Sequence, residues 1–179
     1  MPERRTVLRR KSFVVLSVVF TTLLGAFALV AWLSMAGNGP DKDALSVMAA
    51  MLGGIAFIRR IAGSRIVLDE KGVSVVNPVF THDVPYRYVA KVESDNGGTL
   101  TVTTTQAVEI GAFGFAGSLI DHFVGSTDRA VAQINARRAE RRDLRGKSPV
   151  VRRYTRAWVA DICSVAMLVC IVLAVITGS

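Results

Sequence analysis

The side chains from which this chain could build chemistry are few: His82, His122, Cys163, Cys170 and Asp161, the one charge inside an apolar run. Neither histidine has a cysteine, a carboxylate cluster or a second histidine at ligand spacing, so no metal set assembles around them. His122 beside Asp121 reads on paper as an acid–base pair. Neighbours in sequence do not face each other on a helix or strand, so the pair reads as surface polarity. Gly111-Ala112-Phe113-Gly114-Phe115-Ala116-Gly117 is glycine-rich, but it lacks both a following Lys-Ser/Thr and the G-x-G-x-x-G spacing of a phosphate cradle. On one helix Cys163 and Cys170 stand about 10 Å apart, whereas a disulfide needs Cα atoms within about 7 Å. With Met167 and Ala174 they form a packing face. These residues lead to an expectation of no catalysis, no metal, no cofactor and no evident small-molecule substrate.

Asp161 is the exception that asks for an explanation, because carboxylates inside a membrane are costly and often functional. It lies three residues past Trp158, so it is expected at headgroup level or paired with Arg59, Arg60 or Arg156. A relay role or contact with a partner inside the membrane is the alternative.

Three apolar runs position that carboxylate. Residues 13–35 carry no charge and are long enough to cross a hydrocarbon core, which takes about 20 helical residues. A signal peptide, with Ser34-Met35-Ala36 as its cleavage site, is the rival reading. The run exceeds the roughly 7–15 residues of a signal's apolar region, and a second run follows closely, so it reads as a retained helix. Residues 44–58 form the second run, stopped by Arg59 and Arg60, and 159–176 the third, with Trp158 at its interfacial end. Ala49, Ala50, Gly53 and Gly54, like Thr21, Thr22, Gly25 and Ala26, stand at small-xxx-small spacing. That spacing allows the first two helices close approach; the bland alternative is that small residues are common in apolar helices.

Between the second and third runs the pattern changes to a period of two. Ile66 and Leu68, Val73 and Val75, Leu100 and Val102, and Val108 and Ile110 alternate with polar or small residues, as half-buried strands require. Turn chemistry marks the breaks at Glu70-Lys71-Gly72, Asn77-Pro78 and Asp95-Asn96-Gly97-Gly98. Ser126-Thr127-Asp128 offers an N-cap to a helix whose Val131 and Ile134 face the module, after a short helix expected at 118–124.

Gly72-Val73-Ser74-Val75-Val76-Asn77-Pro78-Val79, then Val84-Pro85-Tyr86 and Tyr88-Val89-Ala90-Lys91-Val92, resembles the small bacterial pleckstrin-homology-like (PH-like) domains of actinobacterial membrane proteins. The resemblance covers residues 64–138 and implies two bent, packed sheets capped by a C-terminal helix. Five or six strands are readable where the full fold has seven. Lipid-binding members place Lys and Arg in the first strand–strand loop. That loop is Asp69-Glu70-Lys71-Gly72 here, so the lipid pocket does not carry over.

The net charge of +8 raises a nucleic-acid reading that its distribution rejects. Residues 62–136 hold five basic side chains against eight acidic ones. With a cytoplasmic N-terminus, 21 of the 22 Lys and Arg fall on the cytoplasmic side, and only Lys42 lies outside.

The expected fold is an α+β membrane protein: three transmembrane helices and a cytoplasmic PH-like antiparallel β-barrel or sandwich capped by a C-terminal helix. A basic cytoplasmic tail spans 1–12, the helices span 13–36, 44–60 and 157–177, the PH-like domain spans 64–138, and a basic juxtamembrane linker spans 139–156. Localisation is expected in the plasma membrane, with the C-terminus outside. Lipid contact is expected at Arg137, Arg138, Arg141, Arg142, Arg145, Lys147, Arg152, Arg153 and Trp158. Protein contact is expected at the sheet edges and at the bent loop 114–125, with Phe113 and Phe115 as its contact residues. The expected function is a non-catalytic scaffold or interaction module with a protein partner. The alternative is an accessory subunit of a membrane enzyme or transporter, acting through its helices and Asp161.

Overall fold

A computed structural model describes residues 5–94, 99–115, 126–141 and 150–178. The chain divides into two compact units. One comprises Met1–Lys11 with Gly63–Thr155, the other Ser12–Ala62 with Arg156–Ser179.

The helical unit consists of α1 (Lys11–Asn38), α2 (Lys42–Ala62) and α4 (Trp158–Thr177). At 28, 21 and 20 residues, they are about 42, 31 and 30 Å long, against a hydrocarbon core of about 30 Å. All three are long and apolar enough to cross a membrane. α2 and α4 are the packed pair, burying Leu45, Ala49 and Ile55 of one and Ala160, Cys170 and Ala174 of the other. A Cβ on Gly53 would come within 2.8 Å of Met167 Sδ, so the small stripe of α2 admits α4. That differs from the expected close pairing of α1 with α2. Gly54 does face Leu24, but Gly25 meets nothing within 4 Å. Val15, Leu16, Val18, Val19 and Leu23 are among the bulky side chains that α1 leaves exposed.

The β-unit contains two antiparallel sheets. The first has the order β1-β2-β3-β4-β8, from β1 (Thr6–Leu8), β2 (Arg65–Leu68), β3 (Gly72–Val76), β4 (Phe80–Pro85) and β8 (Val151–Tyr154). The second is β5-β6-β7, from β5 (Val89–Ser94), β6 (Leu100–Thr104) and β7 (Glu109–Ala112). One core joins them: Ile66, Leu68, Val73, Val75 and Val84 meet Val89, Val92, Leu100, Val102 and Ile110. Helix α3 (Ser126–Arg141) covers it with Ala130 and Ile134. The alternation therefore places the core as expected, with one shift: Val108 is exposed and Ala112 takes the buried position after Ile110.

The sheets do not close into a barrel. Pro85 ends β4 without an N–H to donate, and the 3₁₀ turn Tyr86–Tyr88 breaks the ladder before β5 begins. Two strands lie outside the expected 64–138 boundary, one in the basic tail and one in the basic linker. β1 pairs with β2, placing Leu8 opposite Ile66, and β8 pairs with β4, placing Tyr154 opposite Phe80. The turns behave as their residues predict. Asp69 Oδ1 accepts from the backbone N–H groups of Lys71 and Gly72 at 2.9 and 3.0 Å, and Asn77 N–H bonds Phe80 O across Pro78. The expected 95–98 turn and 118–124 helix lie outside the described residues.

Candidate functional site

Antiparallel pairing fixes which strand ends lie together. β1 finishes at Leu8, opposite the start of β2; β3 finishes at Val76, opposite Arg65; β8 finishes at Tyr154, opposite the start of β4. The end of β1, the start of β2 and the end of β8 therefore share one end of the five-stranded sheet. Each of those chain ends is followed or preceded by a long apolar helix after a minimal connector. Arg9-Arg10 precedes α1, Gly63-Ser64 follows α2, and Thr155-Arg156-Ala157 precedes α4.

At that end the sequence expectation missed a buried cation. Arg10 is only 7% exposed. Its Nη2 donates to Thr127 Oγ1 at 3.1 Å, and its guanidinium lies 5.7 Å from the Phe115 ring centroid. Thr127, expected in the helix-capping segment, is itself buried. A basic tail gives no sign of burial; the pairing of Thr6, Val7 and Leu8 with β2 draws it into the fold.

Helix α3 runs from there toward the other end of the sheet. Ten residues past Thr127, about 15 Å along the axis, Arg137 Nη2 donates to Thr6 Oγ1 at 2.8 Å, at the start of β1. Arg138 and Arg141 follow on the same terminal turns. Arg137 thus stands toward the sheet end opposite the helix connectors. Arg142, Arg145 and Lys147 lie outside the described residues. Arg152 and Arg153 stand in β8: Arg152 stacks 3.6 Å from the Phe80 ring centroid, and Arg153 Nε pairs with Asp83 Oδ2 at 2.8 Å.

The second cluster surrounds that pair. Ser74 and Asp83 are cross-strand partners, and Ser74 Oγ donates to Asp83 Oδ1 at 2.5 Å. They floor a groove of about 350 Å³, walled by Asp69, Lys71, Pro85 and Val151. Tyr86 ties down its rim through Oη to Asp69 O and N–H to Lys71 O. His82, next to Asp83, faces the opposite side of the strand, so it is no base for Ser74. Burial lowers its pKa, Arg152 lowers it further, and Asp83 opposes both.

Phe113 and Phe115, expected together in a contact loop, separate. Phe113 is 49% exposed, whereas Phe115 is 3% exposed and belongs to the core. Asn77 forces the division: its amide donates to Gly111 O and its Oδ1 accepts from Phe113 N–H, both at 2.8 Å. Gly114 then approaches Ser64 so closely that a Cβ would lie 2.7 Å from Ser64 O. Of the expected 114–125 contact loop, 116–125, with Asp121 and His122, lies outside the described residues.

In the helical unit Asp161 accepts from Arg60 Nη2 at 2.5 Å and from Ala157 N–H at 3.3 Å. Of the three expected arginines, Arg60 is the one that pairs with it. Arg156 instead lies 6.0 Å from the ring of Trp158, which is exposed. Cys170 is buried in the α2–α4 packing and Cys163 is half-buried. Among the described residues no group of His, Cys, Asp and Glu is placed to hold a metal ion. Comparison with protein families, with curated proteins and with solved structures finds no match.

Proposed function

We propose that this chain is a three-span plasma-membrane protein holding a PH-like β-module at the cytoplasmic face as a non-catalytic interaction or scaffolding module. One observation carries the reading. Three helices long and apolar enough to span attach through connectors of two or three residues to strand ends at the same end of one sheet. The pairing of β1 with β2 brings together the residues flanking α1 and α2, so those helices cross as a hairpin or not at all. β8 then starts α4 from the same side, which puts the C-terminus on the other. The basic residues give the sense of crossing, because the side holding the module holds nearly all of them.

The PH-like reading draws support from the three-plus-three succession β2–β4 and β5–β7 before a closing helix. The Asp69–Lys71 turn, the Ser74–Asp83–Arg153 groove and the arginines closing α3 are the surface offered to a protein partner. Contact of the basic linker with anionic lipid is part of the same proposal. A second reading, the accessory subunit, draws on α1, of whose apolar window only 6% is buried. Asp161 does not serve that reading, being engaged with Arg60.

A reporter active only outside the cytoplasm, fused after Ser179 or after Arg145, tests the topology. Activity at 179 and silence at 145 is expected, and the reverse sinks the reading. Mass spectrometry of proteins retained in mild detergent then separates the two functions: soluble partners support the scaffold, a stoichiometric membrane complex the subunit.

A further inference from the structure

An apolar groove of about 330 Å³ opens between α1 and α2, within the helical unit. Phe13, Leu16 and Phe20 line it from α1, and Ile58 and Ile61 from α2. Among the described residues, the one polar side chain in its lining is Ser17, which is only 3% exposed. Its Oγ has no hydrogen-bond partner among the described residues. A hydroxyl on a helix need not go without, because the carbonyl four residues earlier lies within reach. Ser46, Ser164 and Thr177 of the same unit each bond theirs, at 2.8, 2.8 and 3.0 Å. Thr21, one turn past Ser17, shares its condition but stands outside the lining.

We infer that this groove seats one acyl chain of a glycerolipid, with the chain's ester carbonyl accepting a hydrogen bond from Ser17 Oγ. The lining sorts ligands by class. An apolar wall takes a hydrocarbon chain, and a buried hydroxyl left without an acceptor favours a chain that brings one. A staggered step about χ1 turns the hydroxyl toward the bound carbonyl. Ser17 also stands at the depth where such carbonyls lie. Lys11, the first residue of α1, is six residues earlier, about 9 Å along the axis. Arg59 and Arg60 occupy the last turn of α2, beside Ile58 and Ile61. Charges at helix ends mark the headgroup level, which with the interface takes about 5–8 Å on each side of the hydrocarbon core. Ester groups sit at its inner limit. The inference rests on the membrane-spanning reading above, which supplies the lipid around the helices.

The test uses the full chain in a maltoside detergent and native mass spectrometry. A diacyl phosphatidylcholine and its dialkyl ether analogue, matched in headgroup and chain length, are titrated in together, and their complexes are resolved by mass. The ether lacks both carbonyls, so the expected result is a preference for the ester lipid on the order of fivefold. Ser17→Ala removes that preference and Thr21→Val keeps it. Leu16→Trp, at an exposed position in the lining, fills the groove and lowers binding of both lipids. Circular dichroism melts establish that each variant is folded. Equal retention of the two lipids by the unmodified protein overturns the carbonyl contact. A preference that survives Ser17→Ala overturns Ser17 as its source, and undiminished binding by a folded Leu16→Trp protein overturns the groove. Failure of the membrane-spanning reading registers separately, in the reporter pair.

Discussion

Arg60 and Asp161 meet at 2.5 Å across 101 residues of chain, the guanidinium on the last turn of α2 and the carboxylate on the first turn of α4. Both are partly exposed, at 21% and 34% for their side chains. Each end of the pair also meets its helix dipole favourably, the cation at a C-terminus and the anion at an N-terminus.

Removing one partner leaves the other in the helical unit without its counter-charge. Asp161→Asn or Arg60→Gln alone should lower the thermal stability of the detergent-solubilised protein, by about 1 kcal/mol given the exposure. The double variant should lose less than the sum. Strictly additive losses would mean that the pair contributes nothing to joining α2 and α4.

Val102 is fully buried, while Thr101, one residue earlier in β6, is half-buried. Val102→Asp places an unpaired charge in the core and should cost about 3 kcal/mol or more. Limited proteolysis should open the β-unit of that variant while membrane integration persists. Thr101→Asp should retain the protected fragment, and similar digestion of both would refute the register of β6.

Gly114→Ala and Gly111→Ala form a matched contrast. The first Cβ meets the backbone of Ser64 at 2.7 and 2.9 Å, the second meets nothing within 4 Å. Backbone atoms cannot rotate aside, so Gly114→Ala should destabilise by about 1–3 kcal/mol and Gly111→Ala by much less. Thermal melts reporting equal loss would argue against the close approach at Ser64.

His82 makes stability depend on pH. Its folded pKa is lowered from the ordinary 6.5 by burial first and by Arg152 second. Above about 6.5 neither the folded nor the unfolded state binds the proton. As pH falls from there toward the lowered value, the unfolded chain takes it up first, and stability drops. Melts at descending pH should show this decline in the unmodified protein and a smaller one in His82→Gln. Identical slopes would exclude His82 as its source.

What the sequence revealed, it revealed through periodicity. Uncharged length marked the three helices, and alternation marked Ile66, Leu68, Val73, Val75, Leu100 and Val102 as core. β1 and β8 escaped it for a physical reason. They are three and four residues long, and all four side chains of β8 are exposed, so neither is long enough to show an apolar period of two. Their strand character comes from the N–H and C=O groups that β2 and β4 offer them. The burial of Arg10 was equally invisible, because it depends on Thr127 and Phe115, more than 100 residues away. Asp161 was the converse case: a lone carboxylate near a run's end restricts its partners to the few arginines at that level.

The order of the five-stranded sheet also sets a schedule for synthesis. β1 is made first and β8 last, and they form its two opposite edges. Between them the ribosome delivers α1, α2 and both hairpin systems, so β4 must wait through about 65 residues, on the order of seconds of translation, before its partner emerges. During that interval its N–H and C=O groups on that side form an open edge, which is a template for another chain. A nascent chain stalled or cut before Val151 keeps that edge open, and strand exchange between two such chains is then the competing outcome.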